Sequence, residues 1–195
     1  MTSRQARRCG ALGAAALGLL TACSSPREHL YSLDNSSSEI PTAVGERATV
    51  LVGPVNLPEL VDRPQLVVRA GAYDIIINEQ ERWAAPLKEQ LPRLLAAELS
   101  RRIADRRFVS ASSAAINSPS AHLLIDVSAV DMERASGVRL TAHWVYRPLS
   151  PQTPPIEGDA AAHTEVTLGG YVGYVDALRR ANVAIADDIA TRLVR

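Results

Sequence analysis

Cysteine is nearly absent from this sequence. The 195 residues contain two cysteines, Cys9 and Cys23, and both lie in the first 23 residues. If the first 22 residues were removed, as from a secreted protein, Cys23 would be the only remaining thiol. The chain could then form neither an internal disulfide nor a metal site with several thiolates. The fold must then depend on its hydrophobic core, and the hydrophobic fraction of 47% is ordinary for a globular protein.

An excess of charge of either sign is also absent. The chain has 21 basic and 21 acidic residues, so its formal net charge is zero. Nucleic-acid-binding domains usually carry a basic patch, and protein segments that bind anionic lipid are usually polybasic. Aromatic residues make up only 4% of the chain and do not alternate with basic ones. We therefore expect no nucleic-acid partner.

The sequence lacks the common catalytic and metal-binding motifs. It has no nucleophile elbow, no glycine-rich phosphate loop and no metalloprotease helix. The four histidines are scattered, and no two have the spacing that a helix would bring onto one zinc ion. They are His29, His122, His143 and His163. We expect no enzyme, no metal site, and no cofactor other than a covalent lipid.

The N-terminus has the pattern of a bacterial lipoprotein signal. Three arginines and no acid precede an apolar stretch, 10–20, that is too short to span a bilayer. The stretch ends in Leu20-Thr21-Ala22-Cys23, which resembles a lipobox, the cleavage site of lipoprotein signal peptidase. The pattern predicts a signal peptide at 1–22, cleavage between Ala22 and Cys23, and a diacylglyceryl group on Cys23. The alternative is an ordinary secretory signal with an incidental cysteine.

The predicted lipid on Cys23 indicates where the protein is located. One acyl chain holds a protein only marginally, whereas two or three hold it effectively permanently. The next residue is Ser24. In the sorting rule known for enteric bacteria, Asp at that place retains lipoproteins in the inner membrane. We therefore expect the periplasmic face of the outer membrane, with 23–28 as a short tether.

Two segments have the periodicity of amphipathic helices, because their apolar residues recur at spacings of three and four. The first spans 87–103, has Pro86 in its first turn, and contains Pro92, where we expect a kink or a restart. The second spans 174–193. Both should bury one face against a sheet.

The other apolar segments favour strands. Residues 123–130 and 138–147 alternate between apolar and polar, which predicts a half-buried antiparallel pair with Leu123, Ile125, Val127 and Ala129 on one face. Further strands are predicted at 29–33, 49–55, 108–110 and 164–168, and a hairpin at 65–69 and 73–78. The predicted fold class is α+β, a single domain over 29–195 with a mostly antiparallel sheet and two helices packed on one face.

Two segments resemble a known family. The first contains Gly53-Pro54-Val55, Leu57-Pro58 and Asp62-Arg63-Pro64-Gln65, and the second is Arg82-Trp83-Ala84-Ala85-Pro86-Leu87. Together they resemble the ABC-type transport auxiliary lipoprotein family, the PqiC-like lipoproteins. The chain departs from the family pattern at Leu60, where an aromatic is common, and at Ala85, where Glu is common. A family role at these two positions therefore does not carry over.

The resemblance implies a function in lipid transport. Such lipoproteins accompany MCE systems, which move lipids between the inner and outer membranes and whose tunnel protein is the partner. The resemblance implies a non-catalytic auxiliary subunit that forms a homo-oligomeric ring around that tunnel and supports cell-envelope integrity. The alternative is a periplasmic lipid-binding carrier, whose domain would itself enclose an acyl chain.

The family segments also suggest a surface for a subunit or partner. Prolines constrain the backbone around Asp62 and Arg63, and fixed charges on a stiff loop lose little entropy on binding. The candidate contact residues are Leu57, Asp62, Arg63, Gln65, Arg82 and Trp83. The alternative is a purely local role, in which Asp62 caps a turn and pairs with Arg63, and Trp83 is a core anchor.

Overall fold

A computed structural model describes residues 27–34, 47–112 and 118–194. The predicted signal peptide, Ala22, Cys23 and the first part of the tether lie outside these residues. The described elements, in chain order, are β1 (His29–Tyr31), β2 (Ala48–Asn56), β3 (Gln65–Arg69), β4 (Ile75–Trp83), α1 (Leu87–Arg102), β5 (Arg106–Ser110), β6 (Ala121–Glu133), β7 (Gly137–Pro148), β8 (Ile156–Thr164) and α2 (Gly170–Leu193).

The strands form one sheet centred on β6. On one side β6 pairs along its length with β7, which pairs in turn with β8, and both pairings are antiparallel. On the other side β6 pairs in parallel with β2 in its first half and with β3 at its far end. Beyond β2 lies β5, and beyond β3 lie β4 and then β1. The longest pairings are antiparallel, and the predicted α+β fold class is confirmed.

Both helices pack on one face of the sheet. Leu91 and Leu95 of α1 and Ile185 of α2 face Ile125 and Leu140 across a cavity of about 20 Å³. The helices also meet each other, because the buried Asn182 amide donates to the Leu91 carbonyl at 3.2 Å. The opposite face of β7 carries the exposed residues Arg139, His143 and Arg147, as its alternation predicts.

The predicted alternation along β6 is wrong after Val127. The register with β7 shifts between Val127 and Ala129, where an extra residue forms a bulge. The bulge reverses the phase of the strand, so Val130 and Met132 are buried while Ala129 is not. A strict period of two cannot foresee such an insertion.

The strand predicted at 164–168 is misplaced. The strand is β8, which ends at Thr164, so Val166 and Leu168 follow it. Sequence reasoning missed β8 because Gly158 and the alanines after it have low strand propensity. Packing explains why position 158 is a glycine, since a Cβ there would lie 3.1 Å from the Trp144 ring and 2.6 Å from the Arg192 guanidinium.

The helix α1 does not restart at Pro92. It runs unbroken over Leu87–Arg102, and Pro86 is its N-cap rather than part of its first turn. The missing N–H of Pro92 removes only the hydrogen bond to the carbonyl of Lys88, in the first turn. Strand β4 also continues to Trp83, beyond the predicted end at 78.

Candidate interaction surface at the β1 edge of the sheet

The loop between β2 and β3 carries three of the six predicted contact residues, Leu57, Asp62 and Arg63, and hydrogen bonds hold it in shape. The backbone N–H groups of Val61 and Asp62 both donate to the Pro58 carbonyl, at 3.0 and 3.1 Å. Val61 is buried, and Leu57 packs against the core. The loop is therefore a fixed projection with Asp62 exposed on it.

Trp83 is joined to this loop through its backbone. Its N–H donates to the Pro64 carbonyl at 2.7 Å, which ties the end of β4 to the loop. The side chain is 6% exposed and belongs to the hydrophobic core, so it offers little area to a partner, as the core-anchor interpretation predicts.

The charged and amide side chains of the surface have partners other than those predicted. Asp62 pairs with Lys88 at the start of α1, at 3.3 Å, and not with Arg63. Gln65 donates to the Glu79 carboxylate at 2.8 Å. These contacts are exposed, so each contributes little to stability. They do orient the side chains of the loop relative to α1 and β4.

Arg82 lies opposite Gln65 in the β3–β4 register and reaches the N-terminal segment. Its guanidinium lies 3.4 Å from the Glu28 carboxylate. The structure therefore brings the loop, Gln65 and Arg82 to one corner of the sheet, next to β1. We call the set Leu57, Asp62, Arg63, Gln65 and Arg82 the corner surface.

Arg63 has an unsatisfied donor. Within the part of the chain that the structure describes, its buried Nε has no hydrogen-bond partner. A buried donor without a partner costs about 1–3 kcal/mol. Because this atom is buried, the missing bond does not by itself indicate a partner, and the case for Arg63 as a contact residue rests on its place beside the exposed Asp62.

A buried carboxylate joins β1 to β4. Glu81 is 8% exposed, and it accepts hydrogen bonds from the Tyr31 hydroxyl at 2.5 Å and from His29 Nδ1 at 3.0 Å. Burial alone would raise the pKa of Glu81, but these two hydrogen bonds and the charge of His29 outweigh it and lower the pKa. Burial, together with the neighbouring Glu81, raises the pKa of Tyr31 to about 12.

A buried amide fastens the chain just after β1. The Gln90 carbonyl accepts from the Leu33 backbone N–H at 2.8 Å, and its amide donates to the Ala85 carbonyl at 2.7 Å. The Leu33 side chain is itself fully buried. Sequence reasoning missed Glu81, Gln90 and Tyr31, because their partners lie about 50 residues away in the chain.

The described residues show neither a membrane-spanning helix nor a metal-binding cluster. No described helix combines the length and the apolar character needed to cross a bilayer. No three described side chains of the metal-binding types come together. The four histidines lie on four different strands, and His143 pairs with Asp159 of the adjacent strand at 2.9 Å.

Comparison with known proteins places this architecture in a family. The family model described as ABC-type transport auxiliary lipoprotein component matches residues 31–190. A search of curated proteins finds no match.

Two solved structures share the fold. The crystal structure of an uncharacterized protein superposes with a TM-score of 0.69 at 19% identity, covering 86% of this chain and 99% of the other. A protein from Xanthomonas campestris superposes with a TM-score of 0.56 at 14% identity, covering 86% of this chain and 93% of the other. At these identities the likeness shows the fold alone.

The Glu81 network predicts a specific pH dependence of stability. Because the pKa of Glu81 is lowered by folding, its contribution is present above the unfolded value of 4.5 and is lost as pH falls through the folded value. Replacing Glu81 by Gln should lower the free energy of unfolding by about 1–3 kcal/mol at pH 7. The loss should begin to shrink below pH 4.5, where the unfolded carboxylate takes up its proton, and should be smallest below the lowered pKa of the folded state. Urea unfolding at several pH values measures both effects.

Glu79→Gln is the matched control, since Glu79 is exposed on the same strand. It should change stability far less at every pH. The role given to Glu81 would be contradicted if the two substitutions lowered the free energy of unfolding equally. It would also be contradicted if the decrease caused by Glu81→Gln did not vary with pH.

Proposed function

Because the chain belongs to the family of ABC-type transport auxiliary lipoprotein components, we propose that it is the non-catalytic auxiliary subunit of an MCE-type system that transports lipids between membranes. The match over residues 31–190 carries this proposal. The partners would be the MCE tunnel protein and further copies of the same chain in a ring. The subunit would receive the tunnel protein and catalyse no reaction, and it would thereby support cell-envelope integrity.

We further propose that acyl chains on Cys23 hold the protein on the periplasmic face of the outer membrane. The lipobox-like sequence and Ser24 support this location. The structure adds a mechanical argument, because β1 begins six residues after Cys23 and is hydrogen-bonded into the sheet. A very short tether would thus keep the folded domain close to the anchored cysteine.

The corner surface is the proposed contact with a neighbouring subunit or the tunnel protein. Backbone hydrogen bonds hold its loop, two to the Pro58 carbonyl and one from Trp83 to Pro64. A rigid surface loses little conformational entropy on binding. Asp62 is exposed on this loop and Arg63 lies beside it, so the loop offers fixed charges to a partner.

The carrier alternative receives less support from the interior. Pockets that enclose small molecules have volumes of roughly 300–1,000 Å³. The cavity between the helices and the sheet has about 20 Å³, which is close to the space of one water molecule. An acyl chain at this place would require the helices to separate from the sheet, so the cavity between the layers gives the carrier role no support.

Substitution of Cys23 tests the anchor. In cells that express Cys23→Ser, a metabolically incorporated fatty acid should no longer label the protein. The protein should also disappear from the outer-membrane fraction. Cys9→Ser is the matched control, because Cys9 lies in the predicted signal peptide and should not affect label or location. A Cys23→Ser protein that stays in the membrane with its label would refute the proposed anchoring.

Charge reversal at Arg63 tests the corner surface. Arg63→Glu should reduce the oligomer size of the detergent-solubilised protein and weaken its cross-linking to the tunnel protein in cells, while circular dichroism stays unchanged. Arg147→Glu is the control, since Arg147 is exposed on β7 outside the corner surface. An Arg63→Glu protein with unchanged oligomer size and cross-linking would count against this surface.

A further inference from the structure

Exposed apolar side chains gather at one end of the domain. Tyr73 is fully exposed in the loop of the β3–β4 hairpin, and Ile77 is exposed further along β4. Leu168 and Val172, at the start of α2, are 51% and 54% exposed. Ile77 lies on the opposite face of the hairpin from Ile76, which faces α2, so it does not join the others. Tyr73, Leu168 and Val172 remain as three large exposed apolar side chains at this end, and such a group indicates a contact surface.

The hairpin and the start of α2 lie beside each other. Val68 and Ile76 of the hairpin line a groove of about 250 Å³ together with Tyr171 and Tyr174 of α2. The far ends of β6 and β8 belong to the same end of the sheet, since Arg69 pairs with Glu133 and Val138 with Thr164. We call this part of the domain, with Tyr73, Leu168 and Val172, the hairpin end.

The tether emerges toward the hairpin end. Strand β1 is parallel to β4, with His29 beside Glu81. The strand direction therefore leads the chain before His29 toward the hairpin-loop end of β4. His29 is the sixth residue after Cys23, a distance that an extended chain spans in at most about 20 Å. Six residues back along β4 from Glu81 is Ile75, next to the hairpin loop.

We propose that the hairpin end rests on the surface of the lipid bilayer, with Tyr73 in the headgroup region. The inference depends on the proposed acylation of Cys23, because the short tether brings this end to the membrane. Tyr, with an apolar ring and a polar tip, is enriched at membrane interfaces. The anchor keeps the patch at high local concentration next to lipid, so even a weak affinity suffices.

The opposite end would then face the periplasm. It contains the β7–β8 connection, where Leu149 is 51% exposed. The contact should be apolar rather than electrostatic, since the chain has no net charge. In this orientation, the membrane would cover neither the open face of the sheet nor the corner surface. Both would be accessible to other proteins.

Site-specific fluorescence in lipid vesicles tests this orientation. Tyr73→Cys and Leu149→Cys each supply one reactive thiol, because Cys9 is removed with the signal peptide and the Cys23 thiol is acylated. The purified lipidated proteins are labelled with nitrobenzoxadiazole and placed in vesicles of phosphatidylethanolamine and phosphatidylglycerol. Lipids carrying a nitroxide on the acyl chain should quench the label at position 73 several-fold more than the label at position 149.

The outcomes separate the orientation from the anchor. The mass of the N-terminal peptide first establishes whether Cys23 is acylated, and an unmodified Cys23 would overturn the proposed anchoring. In an acylated, vesicle-bound protein, equal quenching at the two positions would overturn only the orientation. A label at position 73 that is shielded from iodide yet unquenched by lipid would also overturn it, and would assign the hairpin end to a second copy.

Discussion

The hydrogen bonds of the buried Glu81 carboxylate are the contacts on which the rest of this structure depends. Burying a carboxylate is costly unless hydrogen bonds and charge offset the loss of water. Tyr31 and His29, both on β1, provide that compensation. As a result a strand of only three residues is held at the edge of the sheet. Gln90 completes the attachment by bonding the Leu33 backbone.

This attachment decides what the N-terminus can do. A lipoprotein with a long tether would leave its folded domain free to rotate above the membrane. Here the domain begins six residues after Cys23, and β1 has a defined direction along β4. On the same strand, Arg82 contacts Glu28 of the tether and the Trp83 N–H donates to Pro64 in the β2–β3 loop. The proposed anchor and the corner surface are thus mechanically connected through β4.

Much of the fold could be predicted from the sequence, because its periodicity reflects burial on one face. The helices, the β6–β7 pair and the β3–β4 hairpin all follow from this pattern. The β6 bulge and strand β8 could not be predicted, since the bulge breaks the period and β8 is rich in small residues selected by the Trp144 ring. Tertiary packing overrode local propensity at both places.

The candidate site was predictable in its location and not in its contacts. The family segments indicated the β2–β3 loop and the Arg82-Trp83 dipeptide, and the structure brings these together at one corner. Charge proximity in the sequence suggested an Asp62–Arg63 pair, whereas Asp62 pairs with Lys88. Glu81 and Gln90 act through partners distant in sequence, which no local pattern reveals.

Hydrogen exchange at the backbone of β1 and Leu33 tests the central claim most directly. In the membrane-bound protein, the Leu33 N–H should exchange as slowly as the amides of β4, because it donates to a buried amide oxygen. In Glu81→Gln it should exchange markedly faster. Fast exchange of the Leu33 N–H in the wild-type protein would mean that the N-terminal segment is not fixed to the domain, and would contradict this account.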